Sequence, residues 1–286
     1  MSVTLGDNSY GKSETRLLRV TRHADRHEIR DLNVSVALSG DFEDVHLRGD
    51  NANVLPTDTH KNTVYCFAKE ASIGEIEEFA LRLARHFVET RKPVRQACVH
   101  IEEYPWARVD VNDIPHPHSF VRGSAERRLT TVTCGPADAS VVSGLADLVV
   151  LKSAGSEFRG FARDRYTTLD DTSDRILATA VRAHWRFSTL QSPWADSFRE
   201  ARQALLEAFA RHHSLSLQQT LFQMATAVLE ARPEIDEVRL EMPNKHHFAV
   251  DLTPFGMTND NEVFYAADRP YGLIEATVRR GGREES

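Results

Sequence analysis

Residues Leu55–Tyr65 read Leu-Pro-Thr-Asp-Thr-His-Lys-Asn-Thr-Val-Tyr, and the rest of the chain is organised around this stretch. Pro56 has a fixed φ and biases the residue before it toward extended backbone. Thr57 or Asp58 can then cap the run Thr59–Lys69 as a helix, because a side-chain oxygen there accepts a bond from a free backbone N–H. A helix start also carries partial positive charge, which suits an anion or an electron-rich oxygen. A hydroxyl, a carboxylate and free amides are therefore expected to meet at one point.

The composition is that of an ordinary globular protein with room for two domains. At 286 residues the chain exceeds one average domain, and its hydrophobic and charged fractions are 41% and 27%. The formal net charge of -7 argues against nucleic acid or an anionic membrane as the main partner, since both favour clustered Lys and Arg.

The cysteines and the chain ends predict a cytoplasmic protein. Cys66, Cys98 and Cys134 are odd in number and widely spaced, which is typical of free thiols in a reducing compartment. The segment Met1–Lys12 lacks the apolar core of a signal peptide, and no apolar run approaches the roughly 20 residues needed to span a membrane. The tail Gly281–Ser286 is expected to be disordered, and it is not a Ser-Lys-Leu peroxisomal signal.

Residue spacing predicts the order strand–strand–helix–helix–strand–strand in the first half. Tyr10–Arg22 and Ile29–Leu38 are predicted to be strands that form a long hairpin, and the second alternates in polarity. The helix of the opening stretch follows, and a capping box of Ser72 and Glu75 then opens a second helix. A third strand begins at Ala97, and the fourth is expected over Phe120–Thr133. The apolar face of the second helix comprises Ile76, Phe79, Ala80, Leu83 and Phe87.

The same order recurs after Gly135-Pro136, which is the best boundary signal, so we predict domains 1–136 and 137–286. The predicted elements of the second half are the strands Val141–Lys152 and Ile176–Phe187, the helix Trp194–His213 after Ser192 and Pro193, a helix opened by a capping box of Ser216 and Gln219 and ended by Pro233, a strand containing Val238, Leu240 and Met242, and a last short strand Val263–Ala267.

This repeat of pattern predicts an α+β fold in which each half is an antiparallel sheet with two helices covering one face. The other face must be buried elsewhere or be more polar. Closing such sheets edge to edge in an oligomer would remove their exposed edges.

Short stretches in the right order, across nearly the whole chain, resemble the urate oxidase (uricase) family. They are Tyr10-Gly11-Lys12, Pro56–Thr63, Phe158–Phe161, Tyr166–Leu169, Asp174-Arg175, Ser216–Gln218 and Pro243–His246. The resemblance implies two tandem tunnelling-fold (T-fold) domains and a homotetramer with active sites at subunit interfaces. It also implies oxidation of urate by O2 and water to 5-hydroxyisourate and H2O2, without a metal, flavin or nicotinamide cofactor.

Urate is a flat anion, so its site should stack one face and hydrogen-bond the edge. The resemblance matches Phe158 to the stacking residue and Arg175 to a planar fork of donors for the edge. Gln218 supplies both a donor and an acceptor. Asp58 and Leu217 match residues that contact the substrate through their backbone, Leu217 standing where valine is common. Without the resemblance, these side chains also fit ordinary roles: a core phenylalanine, an arginine paired with Asp171 or Asp174, and polar residues at a helix start.

Oxidation further requires that a proton leave urate. Lys12 and Thr57 match the family's proton-relay pair, and Lys12 must be neutral at least transiently because an ammonium accepts no proton. His246 could pass the proton onward, since imidazole titrates near neutral pH. Asn244, with the Thr57 hydroxyl, matches the pair that holds O2 or water above the ring.

Three alternatives are left open by the residues. The paired histidines suggest a metal site, but His23 and His27 lie in a predicted turn and no Cys or carboxylate cluster completes a ligand set. A T-fold enzyme acting on a pterin or on GTP would typically anchor the ring with a carboxylate, whereas Arg175 and Gln218 take that place here. A non-catalytic purine-binding protein would not need Lys12, Thr57 and His246 together.

Overall fold

The computed structural model describes residues 2–267 and 269–281, so the predicted disordered tail lies, from residue 282 on, outside the described residues. The chain divides into two compact units. The first comprises Met1–Gly144 with Arg186–Ala195, and the second comprises Leu145–Trp185 with Asp196–Ser286. The division falls a little after the predicted boundary at 136/137, and that boundary stays a prediction.

The first unit contains an antiparallel sheet with strand order β1-β2-β3-β6. Helix α2 packs on β1, and α3 packs on β3 and β6. A separate hairpin, β4–β5, lies between the third and fourth strands in sequence. The elements are β1 (Tyr10–Arg22), β2 (His27–Gly40), α1 (Glu43–Leu47), α2 (Thr57–Glu70), α3 (Ile76–Thr90), β3 (Val94–Tyr104), β4 (Ala107–Val111), β5 (Ile114–Val121) and β6 (Arg127–Cys134).

The second unit repeats this arrangement with strand order β7-β8-β9-β12 and a small hairpin, β10–β11, before its last strand. Helix α5 packs on β9 and β12. Its elements are β7 (Ala139–Lys152, beginning in the first unit), β8 (Leu177–Phe187, ending there), α4 (Trp194–Arg211), α5 (Leu217–Ala231), β9 (Ile235–Asn244), β10 (His247–Ala249), a 3-10 turn (Thr253–Phe255), β11 (Phe264–Ala266) and β12 (Gly272–Arg279). The α+β class is confirmed, and so is the recurrence of strand–strand–helix–helix–strand–strand.

The predicted apolar faces form the core of each unit. The alternating residues Leu32, Val34, Val36 and Leu38 of β2 are at most 2% exposed. The predicted face of α3 is equally buried: Ile76, Phe79, Ala80, Leu83 and Phe87. In the second unit the same holds for Val181, Ala183 and Trp185 in β8 and for Val238, Leu240 and Met242 in β9. Burying one face of each sheet against its helices accounts for this two-layer pattern.

Two strand predictions are wrong. The expected strand Phe120–Thr133 is broken, because β5 ends at Val121 and β6 begins only at Arg127. Val263–Ala267 is not the last strand of the sheet: its core belongs to the β10–β11 hairpin, and the sheet ends with β12, Gly272–Arg279. Strand β12 is missed because only Ile274 and Val278 are even half-buried, so it lacks strong alternation.

The predicted helix starts are only partly correct. α2 begins at Thr57, not Thr59, and Pro56 is its N-cap, with no side-chain bond to the first turn. The predicted box of Ser72 and Glu75 does not form, because the Ser72 hydroxyl accepts from Gly74 N instead. At α5 the prediction holds for Ser216, whose hydroxyl accepts from Gln219 N at 3.2 Å. No helix in residues 2–267 and 269–281 is long and apolar enough to cross a membrane.

Candidate functional site

The second unit contains a cavity of about 560 Å³ that collects several of the predicted site residues. Phe158, Arg175, Asn244 and His246 all line it. Other parts of the lining come from the loop 168–172, from the segment 174–176 and from the β10–β11 region. Leu217 and Gln218 do not line it. The fold thus brings together four predicted residues from three separate stretches of sequence.

An aromatic ring and a guanidinium lie together in this cavity. The guanidinium carbon of Arg175 is 5.1 Å from the centre of the Phe158 ring. The same ring is stacked on Phe161, with centroids 4.9 Å apart and an interplanar angle of 12°. Phe158 is therefore fixed by one aromatic neighbour while remaining half-buried at the cavity. Such a plane beside a cation suits a flat, electron-rich anion.

Arg175 is not held by the nearby aspartates that offered an ordinary role. Asp171 lies 3.5 Å from Arg163, and Asp174 accepts from Gly155 N at 2.9 Å. Within the described part of the chain, the Nε atom of Arg175 is buried and has no hydrogen-bond partner. Burial lowers the pKa of this guanidinium from its ordinary value. A buried donor without an acceptor favours an anionic or carbonyl oxygen as its partner.

Backbone hydrogen bonds fix the segments that carry Phe158 and Arg175. Phe158 and Thr172 exchange two bonds, of 2.9 and 3.0 Å. Arg175 N donates to Ser156 O at 2.8 Å. The two side chains therefore project from neighbouring, paired segments, although 17 positions separate 158 from 175 in the sequence.

Asn244 and His246 lie at the end of β9, where Lys245 N donates to Ala178 O at 2.9 Å. The His246 ring is stacked near Phe248, with centroids 5.8 Å apart. Burial, followed by the charges of Arg175 and His247, lowers the pKa of His246. A neutral imidazole is thus favoured near neutral pH, and it can accept a proton.

The start of α5 positions Leu217 and Gln218. The Ser216 cap bond and a bond from Leu215 N to the Gln219 side chain, 3.1 Å, fix the first turn. Leu217 is 2% exposed, whereas Gln218 is exposed. Gln218 therefore presents its amide to the surface from a rigid helix start.

Lys12, Thr57 and Asp58 lie in the first unit. Thr57 is the first residue of α2 and is exposed, and Asp58 follows it. The Asp58 carboxylate accepts from Lys61 at 2.5 Å and from Asn62 at 2.9 Å. The hydrogen bonds from Lys61 and Asn62 lower the pKa of Asp58, and the charge of Lys12 acts in the same direction.

The strand and the helix that carry these residues are tied together. The Tyr10 hydroxyl accepts from Leu55 N at 2.8 Å, which joins β1 to the segment before α2. The register of the β1–β2 pair shifts between Lys12 and Thr15. Lys12 thus lies on a strand that is bonded to the segment just before the start of α2.

Some residues around the cavity were missed from the sequence. His247 had no predicted role, yet it lines the cavity. Thr168 and Leu169 also line it, and the only signal for them was the resemblance of Tyr166–Leu169 to the family. Ser156 and Glu157 do not line the cavity, and they carried no sequence signal because their backbone bonds are to Arg175 and Ser214, which are distant in sequence.

The histidines and cysteines form no metal site in the part of the chain that is described: no group of three or more His, Cys, Asp or Glu there could hold a metal ion. All three cysteines are free, with Cys66 exposed, Cys98 half-buried and Cys134 buried.

Comparison with known proteins identifies the family. The family model described as Uricase matches residues 8–133 and 141–275. The chain belongs to the uricase family. The uricase of Arthrobacter globiformis is 52% identical over 98% of this chain and 91% of its own length. That of Dictyostelium discoideum is 37% identical over 97% and 98%.

Solved uricase structures confirm the fold. The crystal structure of uricase from Arthrobacter globiformis matches with a TM-score of 0.95 at 51% identity, and it covers 100% of this chain and 98% of that one. The predicted resemblance to the uricase family and the fold of two tandem T-fold domains are therefore confirmed.

Proposed function

We propose that this chain is a urate oxidase that converts urate, O2 and water to 5-hydroxyisourate and H2O2, without a resident cofactor. The observation that carries the proposal is the buried guanidinium Nε of Arg175, which has no hydrogen-bond partner among residues 2–267 and 269–281 and lies beside the Phe158 ring in a cavity of about 560 Å³. A flat anion satisfies both groups at once, since its face stacks and its edge accepts hydrogen bonds. Uricase-family membership supports the choice of urate among flat anions.

The proposed binding residues act on different parts of urate. Phe158 stacks on one face, and Arg175 donates to the edge and neutralises the charge. Gln218 donates and accepts on the same edge. Leu217 and Asp58 contribute backbone groups at the starts of their helices, where N–H groups are free.

The proposed catalytic residues remove a proton from urate. The loss of this proton makes urate a better electron donor to O2. Lys12 and Thr57 form the relay, and His246 passes the proton onward because its lowered pKa keeps it neutral. Asn244 and the Thr57 hydroxyl hold O2 or water above the ring. The overall reaction balances: the substrate gains one oxygen atom, and O2 takes up two electrons and two protons to leave as H2O2.

We further propose that the active protein is a homotetramer whose sites lie at subunit interfaces. Lys12, Thr57 and Asp58 would come from one subunit, and Phe158, Arg175 and Gln218 from another. Support comes from the ends of the strand orders, β1 and β12, whose unpaired edges would be removed by pairing between copies. A cytoplasmic location and the absence of nucleic-acid and membrane partners are proposed from composition alone.

The test is loss of the ultraviolet absorbance of urate when dialysed, metal-free protein is added in air, with H2O2 appearing in equal amount. The control is the same mixture without O2, in which the absorbance should persist. No loss in air would contradict the proposed reaction. Loss in air that disappears after treatment with a chelator, and returns with an added metal, would contradict its cofactor-free form.

A further inference from the structure

Glu157 is a buried carboxylate directly before the stacking residue Phe158. The whole residue is 6% exposed. Its carboxylate accepts from His213 Nε2 at 3.1 Å and forms an ion pair with Arg159 Nε at 2.5 Å. Both partners are more than half exposed, so their outer ends face solvent while the carboxylate does not. A buried charge is retained at such a place only when it is well paired.

The Glu157–His213 pair links two segments that carry proposed binding residues. Glu157 N donates to Ser214 O at 2.8 Å, and Ser214 N donates to Gly155 O at 3.0 Å. Ser214 in turn binds the start of α5, because its hydroxyl donates to Ser216 O at 3.1 Å and accepts from Thr220 Oγ1 at 2.7 Å. This chain of contacts runs from Phe158 to the turn that presents Gln218.

We propose that Glu157 and His213 are positioning residues, which we call the clamp, that set the distance between the ring that stacks on the substrate and the amide that binds its edge. The inference rests on the proposed function for the identity of the ligand, a planar purine anion. The clamp touches neither substrate nor O2 in this proposal, and its effect is transmitted by the paired segments 155–158 and 213–218. Misplaced binding groups lose affinity even when every group is still present.

The experiment compares Glu157→Ala, Glu157→Gln and His213→Ala with the control Glu207→Ala. Glu207 forms an exposed ion pair with Arg211 on α4 at 3.0 Å, so its loss changes the net charge equally without touching the clamp. The measurements are steady-state kcat and KM for urate and, separately, the Kd for xanthine as a planar purine probe.

Glu157→Ala and His213→Ala should each raise KM for urate and Kd for xanthine about tenfold, the effect expected when misplacement of the binding groups costs one hydrogen bond to the anion. The kcat at saturating urate should stay within about threefold. Glu157→Gln should recover most of the affinity, because the amide oxygen still accepts from His213. The double variant Glu157→Ala/His213→Ala should bind no more weakly than Glu157→Ala alone, since Glu157→Ala already breaks the contact with His213 as well as the ion pair with Arg159.

Several results would overturn the clamp. Unchanged affinities would do so, as would a fall in kcat with KM unchanged, a Gln variant no better than the Ala variant, or additive losses in the double variant. If Glu157→Ala fails to fold, His213→Ala decides, because its side chain is 58% exposed and its removal leaves the core intact. If wild type and Glu207→Ala bind xanthine but do not oxidise urate, the proposed function fails, and the xanthine Kd values still decide the clamp.

Discussion

Helices α2 and α5 both begin with a pair of proposed site residues, but their starts are built differently. At α2, Pro56 is the cap and makes no side-chain cap bond, and the Asp58 carboxylate in the first turn accepts from Lys61 and Asn62. At α5, the Ser216 hydroxyl accepts from Gln219 N and the Gln219 side chain accepts from Leu215 N. Thr57 and Asp58 therefore stand at an open helix start, whereas Leu217 and Gln218 stand at a closed one.

This difference indicates a division of work. A hydroxyl and helix N–H groups that no cap side chain binds suit a small oxygen species or a moving proton. The closed start is rigid, and a rigid start presents a side chain for recognition with little loss of conformational entropy. The comparison predicts that changes at α2 alter kcat and that changes at α5 alter KM.

The largest effects are expected at the open start and its lysine. Thr57→Ala and Lys12→Met should lower kcat by about 10²–10⁴-fold, the usual contribution of general-base catalysis, with KM changed little. Steady-state assays with urate measure this split. Lys69→Met, an exposed lysine in the last turn of the same helix, is the matched control and should behave as wild type. A Lys12→Met protein with near-normal kcat would remove the relay from the mechanism.

Substitutions at the start of α5 and at Arg175 should weaken the binding of urate. We expect Arg175→Ala to raise KM about 100-fold and Gln218→Ala about tenfold, because each removes hydrogen bonds to an anionic ligand. The same assays provide the values, and Gln203→Ala on the exposed face of α4 is the control for Gln218. A large fall in kcat at unchanged KM in Gln218→Ala would erase the distinction between the two starts.

A complementation experiment tests whether the two starts serve one site from different chains. Thr57→Ala and Arg175→Ala are each expected to be nearly inactive. If they are co-expressed and pair at random in an isologous dimer, half of the dimers are mixed and half of the sites in these are intact. The co-expressed mixture should then recover about a quarter of wild-type activity, and mixed dimers purified from it about a half. No recovery would mean that one chain supplies the whole site.

The open start should also be the more sensitive to acid. His60, in the first turn of α2, is 0% exposed, and burial lowers its pKa. In the unfolded chain this histidine has a pKa of about 6.5, so it takes up a proton as the pH falls below that value more readily than the buried ring does. The free energy of unfolding therefore decreases as the pH falls below about 6.5, by at most about 1.4 kcal/mol per pH unit.

His60→Phe keeps an aromatic ring beside Tyr10 and Phe87 and removes the titrating group. The loss in free energy of unfolding between pH 7 and pH 5.5 should shrink in this variant, measured by urea unfolding at both values. His23→Gln, which changes an exposed histidine, should leave the loss unchanged. An equal acid loss in His60→Phe and wild type would show that His60 is not responsible.

The smallest expected effect is a difference in the free energy of unfolding between variants at the two helix starts. Ser216→Ala should lower the free energy of unfolding by about 1 kcal/mol, because it removes a side-chain cap. Thr57→Ala should lower it by less than about 0.5 kcal/mol, since Thr57 makes no cap bond. Urea unfolding at neutral pH measures both. A larger loss for Thr57→Ala would mean that its hydroxyl supports the helix after all.

Much of the architecture could be predicted from local sequence pattern. The alternation in β2, the apolar face of α3 and the cap at Ser216 are properties of short stretches. Each can be predicted from its own residues, because burial repeats with the period of the strand or helix. The order of elements in the two halves follows from them. The match of ordered motifs, from Tyr10 to His246, was enough to indicate the uricase family.

Tertiary structure alone decided the features that depend on distant partners. Strand β12 is recognisable only by its pairing with β9. At the start of α2, the Pro56 carbonyl accepts from Thr59 N, so the helix begins after Pro56 without the predicted side-chain cap. The fold likewise buries the Glu157 carboxylate and the Arg175 Nε atom, which has no hydrogen-bond partner among the described residues. The physical reason is that periodicity records which face of an element is apolar, whereas desolvation and pairing of polar groups depend on what the fold brings against them.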